Sequence, residues 1–235
     1  WDGKHELDAS IMHGAQLNAG AVAGVTTVQS PIALARAVME QSPHVMLASK
    51  GADLFARELG VPDVSPAYFE TERRKRALES YKARKQAGVE PRVDYKFGTV
   101  GVVVLDSKGN LVAGTSTGGM TGKRWGRIGD APVIGAGTYA DNRSCAVSAT
   151  GHGEYFIRHT VARDICARMQ FAGQSLQEAA ETVITDELVA AGGDGGVVAV
   201  DASGEVSMVF NTPGMYRASV SRSGEKRVGI FGDDP

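Results

Sequence analysis

A threonine, Thr99, directly follows Gly98 and opens an apolar run over residues 99–105, whereas the residues before it are polar and basic. A glycine can adopt backbone geometry that is closed to other residues, which a following hydroxyl needs in order to attack the carbonyl behind it. This spacing predicts autocleavage between Gly98 and Thr99 through an N-to-O acyl shift.

The proposed cut would turn Thr99 into a self-sufficient nucleophile. Hydrolysis of the ester intermediate frees its α-amine, whose pKa of about 8 suits a general base at neutral pH. One residue then supplies both nucleophile and base, as in other activated threonine nucleophiles. A lone threonine at the start of a strand is more often a packing residue, so the prediction depends on companion groups.

Two such groups follow in the chain. Thr117 ends the second strand of a predicted hairpin, so its hydroxyl is expected near Thr99, although a polar strand end entering a turn is the alternative. Arg127 lies in a glycine-flanked loop and suits bidentate capture of a carboxylate, while Asp130 offers a seat for an ammonium group. A surface Arg–Asp ion pair is the alternative for these two residues.

A third group is the segment Thr150-Gly151-His152-Gly153-Glu154, between a strand end and a helix start. Backbone N–H groups at a helix N-terminus are oriented donors, and together with a threonine hydroxyl they can stabilise an oxyanion. The alternative is a glycine-rich turn in which Glu154 favours the helix dipole.

Two motifs resemble nucleotide sites but fail on context. Residues 135–140 imitate a dinucleotide fingerprint, yet they lead into a polar turn and another strand instead of a helix. Gly122-Lys123 resembles the end of a phosphate-binding loop, but Arg124 stands where Ser or Thr is required. No nucleotide site is predicted.

The composition is that of a globular protein with one large domain: 235 residues, 43% hydrophobic and 22% charged. A net charge of −2 gives no electrostatic reason to expect nucleic acid or an anionic membrane as partner. The basic segment 70–86 is interpreted as a solvated helix leading into a linker, in preference to a phosphate-binding site.

Cys145 and Cys166 lie far apart without a CxxC pattern, so neither a zinc site nor a disulfide is predicted. Buried thiols in a reducing, cytoplasmic compartment are expected. The sequence begins at Trp1 without a methionine, so a preceding signal peptide stays open.

Periodicity and turn residues predict strands, two helices and strands again after residue 99, with further strands and helices before it. The predicted strands cover residues 5–12, 17–28, 44–48, 99–105, 111–117, 133–139, 144–149, 197–201, 205–210, 215–220 and 227–231. The predicted helices begin at Pro31, Gly51, Glu70, Glu154 and the capping box of Ser175 and Glu178. The hairpin 99–117 is expected to be buried on both faces. These elements predict an α/β fold, a four-layer α/β/β/α sandwich.

Taken in order, these stretches resemble the plant-type asparaginase or isoaspartyl peptidase family of N-terminal nucleophile hydrolases. The matching segments are HELDASIM, AGAVAGV, VMEQSPHVM, GTVGVVVLD, TSTGGMTGK, GRIGDAPVIGAG, ATGHGE and GMYRA. The resemblance implies that Thr99 is the nucleophile beside the hydroxyl of Thr117, and that Thr150 and the Gly151 amide form the oxyanion hole. It also implies that Arg127 holds a substrate α-carboxylate and that Asp130, helped by Gly153, holds the α-ammonium.

The resemblance further implies a heterotetramer, a dimer of αβ heterodimers in which α is residues 1–98 and β is residues 99–235 of one domain. Residues from about 65 to 98 would form a mobile basic linker. Family members start with a strand, helices and a loop that binds a structural sodium ion, all of which would lie before Trp1. No cofactor or metal ligand is therefore predicted within this sequence.

The predicted activity is that of an isoaspartyl peptidase and L-asparaginase, which releases aspartate from β-aspartyl dipeptides and from L-asparagine. Two alternatives stay open: a glycosylasparaginase of the same family, and an uncleaved, non-catalytic protein that binds aspartyl-like ligands or a partner. Small-molecule substrates, and neither nucleic acid nor membrane, are the expected partners.

Overall fold

A computed structural model describes residues 1–89, 98–232 and 234. Its strands are β1 (Leu7–His13), β2 (Asn18–Val25), β3 (Met46–Ala48), β4 (Thr99–Leu105), β5 (Leu111–Thr117), β6 (Thr138–Ala140), β7 (Cys145–Gly151), β8 (Gly195–Asp201), β9 (Val206–Ser207), β10 (Arg217–Val220) and β11 (Lys226–Gly229). Its helices are α1 (Pro31–Gln41), α2 (Ser49–Glu58), α3 (Glu72–Gln86), α4 (Gly153–Arg158), α5 (Val161–Ala167), α6 (Leu176–Glu181) and α7 (Leu188–Ala190). Short turns of 3-10 or π geometry cover Pro66–Phe69, Arg168–Ala172 and Thr182–Glu187.

Two sheets form the centre of the fold. A five-stranded sheet has the order β3-β2-β1-β5-β4, a four-stranded sheet has the order β6-β7-β8-β9, and β10 and β11 form a separate hairpin. Strands β4 and β5 pack on β7, while α1 and α2 cover the first sheet and α5 and α6 cover the second. The predicted α/β/β/α layering is thus confirmed.

Small residues let the first helical layer approach its sheet closely. Ala21, Val22 and Ala23 of β2 are fully buried. At Gly20 an added Cβ would lie 2.6 Å from the backbone nitrogen of Met39, so α1 rests almost directly on this strand. Burial of apolar area at such a contact supplies the main stabilisation.

The second helical layer buries apolar residues of the predicted helix that begins at Glu154, but this segment is not one continuous helix. Val161 and Ile165 are fully buried, and Ser175 and Glu178 form the expected capping box at the start of α6. The single helix predicted over 154–171 is wrong, because Thr160 adopts a left-handed conformation with φ of 47° between α4 and α5. None of the helices in the described residues has the length and apolarity to cross a bilayer.

Strand β4 corrects the expectation that the hairpin is buried on both faces. Val100, Val102 and Val104 are 71%, 62% and 44% exposed. The strand lies at the edge of its sheet, and α1 packs mainly over β1 and β2, so no described helix covers these valines. A continuous apolar run here indicates one apolar outer face and not two-sided burial.

Helix α3 has no buried residue, as expected for a solvated helix. The following part of the predicted linker, residues 90–97, lies outside the described residues. The division of the chain at residue 98 and the mobility of the linker therefore stay predictions.

The prediction of two separate thiols is wrong, because Cys145 and Cys166 form a disulfide with their Cα atoms 5.4 Å apart. Cys145 begins β7, and Cys166 lies on the face of α5 that packs against this strand; both residues are fully buried. A separation of 21 residues conceals this proximity, which arises only from the packing of the helix on the sheet.

We expect Cys166→Ala to lower the free energy of unfolding by about 3 kcal/mol, because the disulfide restricts the unfolded chain over a loop of this length. Equilibrium denaturation with and without a reductant measures the loss. Reductant should destabilise the wild-type protein and leave the variant unchanged. An identical wild-type transition in both conditions would contradict the disulfide.

Candidate active site

Strand register brings three polar side chains into one row. Thr99 of β4 lies opposite Thr117 of β5, and Thr117 lies opposite Asp8 of β1. Directly opposed residues project to the same face of a sheet, with their Cβ atoms about 5 Å apart. The row Thr99–Thr117–Asp8 therefore stands on the face of the first sheet that meets the second.

The hydroxyl of Thr117 connects this row to the predicted cleavage point. Its Oγ1 donates to the carbonyl oxygen of Gly98 at 3.2 Å and accepts from Oγ1 of Thr99 at 3.2 Å. It also accepts from the backbone N–H of Gly119 at 3.0 Å. One donor bond and two acceptor bonds use the full capacity of a hydroxyl group. The hydroxyl is thus fixed between the nucleophile and the carbonyl that the nucleophile would attack.

Thr99 shares a cleft of about 90 Å³ with Thr150 and Gly151 from the second sheet. Gly151 ends β7 and has no room for a side chain, because an added Cβ would lie 2.6 Å from Cε2 of Phe156. A hydroxyl and a strand-end backbone group therefore face the nucleophile across the cleft. This is the juxtaposition that the predicted oxyanion hole requires.

The predicted carboxylate-binding arginine is already occupied by an acidic side chain. Nε and Nη2 of Arg127 donate to the two carboxylate oxygens of Glu154 at 2.9 and 2.8 Å. This bidentate bond lowers the pKa of Glu154. His152 is close to the same carboxylate, with Nε2 at 3.2 Å from Oε2 of Glu154. Arg127 thus makes a bidentate bond to a carboxylate, that of Glu154, and its binding of a substrate carboxylate stays a prediction.

Asp130 is a buried group and not half of a surface ion pair. Its side chain is 7% exposed, and its Oδ2 has no hydrogen-bond partner within the protein. Burial raises the pKa of Asp130 to about 7, an effect that outweighs the lowering by the nearby Arg127 charge. A buried carboxylate oxygen without a partner suits a ligand cation such as an ammonium group.

Gly153 provides the space between these two charged groups. A Cβ added at this position would lie 2.8 Å from Oδ1 of Asp130 and 2.9 Å from Nη2 of Arg127. The residue begins α4 and is separated from Gly151 by His152 alone. Arg127, Asp130 and Gly153 thus form a second cluster that adjoins the cleft of Thr99 but does not line it.

A buried ion pair beside this site was not predicted. Nζ of Lys123 lies 3.9 Å from Oδ2 of Asp8 and donates to the carbonyl oxygen of Glu6 at 2.8 Å. Burial raises the pKa of Asp8, while the Lys123 charge and the bond from the Gly24 N–H oppose that rise. The Lys123 side chain also lies over Gly119, whose N–H holds Thr117.

The remaining wall of the cleft was also missed. It consists of residues contributed by β8 and by the segment before β10: Gly195, Gly196, Thr212, Gly214, Met215 and Tyr216. The only signals for them were the glycine-rich run 192–196 and the GMYRA segment, neither of which carries a reactive side chain. In the described residues, no group of three His, Cys, Asp or Glu side chains could hold a metal ion.

Comparison with known proteins gives consistent matches along the chain. A family model described as Asparaginase matches residues 1–230. The chain is 52% identical to the isoaspartyl peptidase of Escherichia coli K12 over 92% of its own length and 69% of that protein. It is 45% identical to a putative isoaspartyl peptidase/L-asparaginase of Dictyostelium discoideum, over 93% of its own length and 72% of that protein. With the human isoaspartyl peptidase/L-asparaginase it shares 41% identity over 99% of its own length and 75% of the human protein.

We expect the stability of the fold to fall as pH rises from about 4 to about 7 through the ionisation of Asp130. Its folded pKa of about 7 exceeds the usual 3.8, so the native protein holds a proton that the unfolded chain releases in this range. Each pH unit costs about 1.4 kcal/mol. Asp130→Asn should lack this contribution, which denaturant unfolding of both proteins at several pH values measures. An identical pH dependence in the two proteins would refute it.

Glu154→Gln is expected to tighten binding of L-aspartate about twofold to fivefold, because a half-exposed ion pair no longer competes for Arg127. Titration calorimetry with L-aspartate measures the change. Glu187→Gln is the matched control, since Glu187 is similarly exposed and pairs with Arg168, in the helical layer. Weaker binding to the Glu154 variant would show instead that this carboxylate orients Arg127.

Proposed function

We propose that this chain, which belongs to the asparaginase family, is an isoaspartyl peptidase and L-asparaginase that acts on β-aspartyl dipeptides and L-asparagine. The observation that carries the proposal is the hydroxyl of Thr117, which bonds to both Thr99 and the Gly98 carbonyl oxygen. Thr99 in turn lines one cleft with Thr150 and Gly151. The printed names of the relatives, isoaspartyl peptidase and isoaspartyl peptidase/L-asparaginase, support the same activity.

In the proposed maturation, Oγ1 of Thr99 attacks the carbonyl carbon of Gly98. The bond from Thr117 to the Gly98 oxygen stabilises the negative charge that develops there. The C–N bond then breaks, the proton lost by the Thr99 hydroxyl passes to the Thr99 nitrogen, and the acyl group stays on Oγ1 as an ester. Water hydrolyses the ester and releases residues 1–98 from a new amino terminus.

In the proposed turnover, Arg127 binds the substrate α-carboxylate after displacing Glu154, and Asp130 binds the α-ammonium. Oγ1 of Thr99 attacks the side-chain carbonyl, with its own α-amine as general base. Thr150 and the Gly151 amide stabilise the oxyanion, and ammonia or an amino acid leaves. Water then attacks the acyl-enzyme, which frees aspartate and regenerates Thr99.

The leaving group can occupy the part of the cleft that is lined by Gly214, Met215 and Tyr216. Met215 and Tyr216 supply apolar surface there. An amino acid attached to the aspartyl side chain can lie there, whereas ammonia from L-asparagine leaves it unfilled. This difference supports β-aspartyl dipeptides as the preferred substrates, because burial of apolar side-chain area favours binding.

The structure and the relatives bear differently on the two alternative functions, a glycosylasparaginase and a non-catalytic binding protein. The paired Cys145 and Cys166 do not distinguish a glycosylasparaginase from a peptidase. The names of the relatives favour a peptidase. A non-catalytic binding protein has no need for a hydroxyl shared between Thr99 and the Gly98 carbonyl.

Assembly, cofactors and compartment belong to the same proposal. We propose a dimer of αβ heterodimers, and a chemical step that uses only hydroxyl, amide, amine and charged groups of the chain and so needs no cofactor. A cytoplasmic location stays a prediction, and the disulfide counts against it, because such bonds are rare in reducing compartments.

Thr99→Ala should abolish both chain cleavage and release of aspartate, because the variant lacks the nucleophile for each step. Intact-mass measurement after incubation at neutral pH should show the wild-type protein as fragments 1–98 and 99–235, and the variant as one chain. Aspartate release from β-aspartyl-leucine and from L-asparagine measures turnover.

Thr160→Ala is the control, since this threonine lies in the break between α4 and α5, outside the cleft. It should cleave and turn over normally. A wild-type chain that stays intact and releases no aspartate from either substrate would sink the proposal in favour of a binding protein.

A further inference from the structure

A chain of buried hydroxyl groups joins the two sheets directly beneath the proposed reaction centre. Ser10, Thr115, Thr138 and Ser148 are 0%, 1%, 0% and 3% exposed. Their oxygens are 2.7 Å apart from Ser10 to Thr138, 2.6 Å from Thr138 to Thr115 and 2.6 Å from Thr115 to Ser148. Ser10 and Thr115 belong to the five-stranded sheet, and Thr138 and Ser148 to the four-stranded sheet.

The position of the chain follows from the alternation of side chains along a strand. Thr115 precedes Thr117 by two residues on β5, and Ser148 precedes Thr150 by two residues on β7. Residues two apart project to the same face of a sheet, so each of these hydroxyls lies one step below a proposed active-site threonine. Gly101, two residues after Thr99, leaves the space that Ser148 occupies.

The protons of these hydroxyls can satisfy all three contacts at once. Each group has one proton and can accept two bonds. Ser10 has one proton for two acceptors, the carbonyl oxygen of Ala131 at 2.6 Å and the hydroxyl of Thr138 at 2.7 Å. When Ser10 donates to Thr138, both Thr138 and Ser148 can donate to Thr115. The Thr115 proton remains for the carbonyl oxygen of Gly137 at 3.0 Å. Thr115 then makes one donor bond and two acceptor bonds, which is the most that a hydroxyl can make.

We propose that Thr115 and Ser148 are positioning residues that set the alignment of the two sheets, and thereby the placement of Thr99 and Thr117 relative to Thr150 and Gly151. Many of the surrounding contacts between the sheets are apolar and give no direction, and the other side-chain hydrogen bonds, such as those of Asn142, lie at the far end of β5. Hydrogen bonds require a defined distance and angle, so a buried network in which Thr115 makes all of its possible bonds favours one alignment. This inference rests on the proposed function for its catalytic readout.

The test uses the whole chain, four single variants and one double variant. Thr115→Val keeps the size of the side chain and removes its hydroxyl, while Thr115→Ser restores the hydroxyl. Ser148→Ala removes the partner on the other sheet. Ser207→Ala is the matched control, because Ser207 is equally buried and bonds to Gln177 between β9 and α6, outside the cleft.

We expect Thr115→Val and Ser148→Ala to lower kcat and the rate of self-cleavage about tenfold to a hundredfold, because small misplacement of reacting groups is costly. KM should change less than about twofold, since Arg127, Asp130 and Gly153 are not altered. Thr115→Ser and Ser207→Ala should stay near wild-type kcat. A purely structural role would lower the unfolding temperature without this division between kcat and KM.

A double-mutant cycle tests the Thr115–Ser148 hydrogen bond without measuring turnover. It compares the unfolding temperatures of Thr115→Val, Ser148→Ala and the double variant Thr115→Val/Ser148→Ala. The double variant should lose less than the sum of the single losses, because both changes break the same bond. Additive losses would overturn the network, as would a kcat for Thr115→Val equal to that of Ser207→Ala. An inactive wild-type protein with non-additive losses would overturn the proposed function alone.

Discussion

The register of three antiparallel strands is the constraint on which the proposed chemistry depends. Because β4, β5 and β1 pair without a shift at this point, Thr99, Thr117 and Asp8 stand side by side on one face. A slip of one residue would turn the threonine hydroxyls to opposite faces. The buried chain beneath them adds the second alignment, between sheets. Placement of the reacting groups is thus a property of the whole sandwich and not of one loop.

Burial in a low-dielectric environment affects the charged groups around Arg127. The pKa of Asp130 is raised to about 7, since burial penalises its ionised form more than the Arg127 charge favours it. Glu154 occupies Arg127. A zwitterionic ligand supplies a carboxylate to one and an ammonium to the other. Arg127 and Asp130 are therefore both stabilised when an amino acid binds with its carboxylate at Arg127 and its ammonium group at Asp130.

Sequence reasoning finds the candidate site residues that lie next to glycines in turns and strand ends. Gly98-Thr99, the loop around Arg127 and the segment Thr150–Glu154 are of this kind, and the structure places them together while their roles remain predictions. Contacts between residues that are distant in the chain have no local sequence pattern that could predict them. The disulfide, the Asp8–Lys123 pair and the wall with Tyr216 each depend on how distant elements meet. The helix break at Thr160 has no adjacent glycine or proline from which it could have been predicted.

The five-stranded sheet draws strands from both sides of the proposed cut. β3, β2 and β1 precede residue 98, while β5 and β4 follow it, and the β1–β5 ladder is the seam. Once the Gly98–Thr99 bond is broken, only non-covalent bonds along that seam and the packing around it hold the pieces together. The mature protein would then obey the law of mass action, with a melting point that depends on its concentration. Cleavage of one peptide bond would thus make the stability of the protein depend on the binding of two chains to each other.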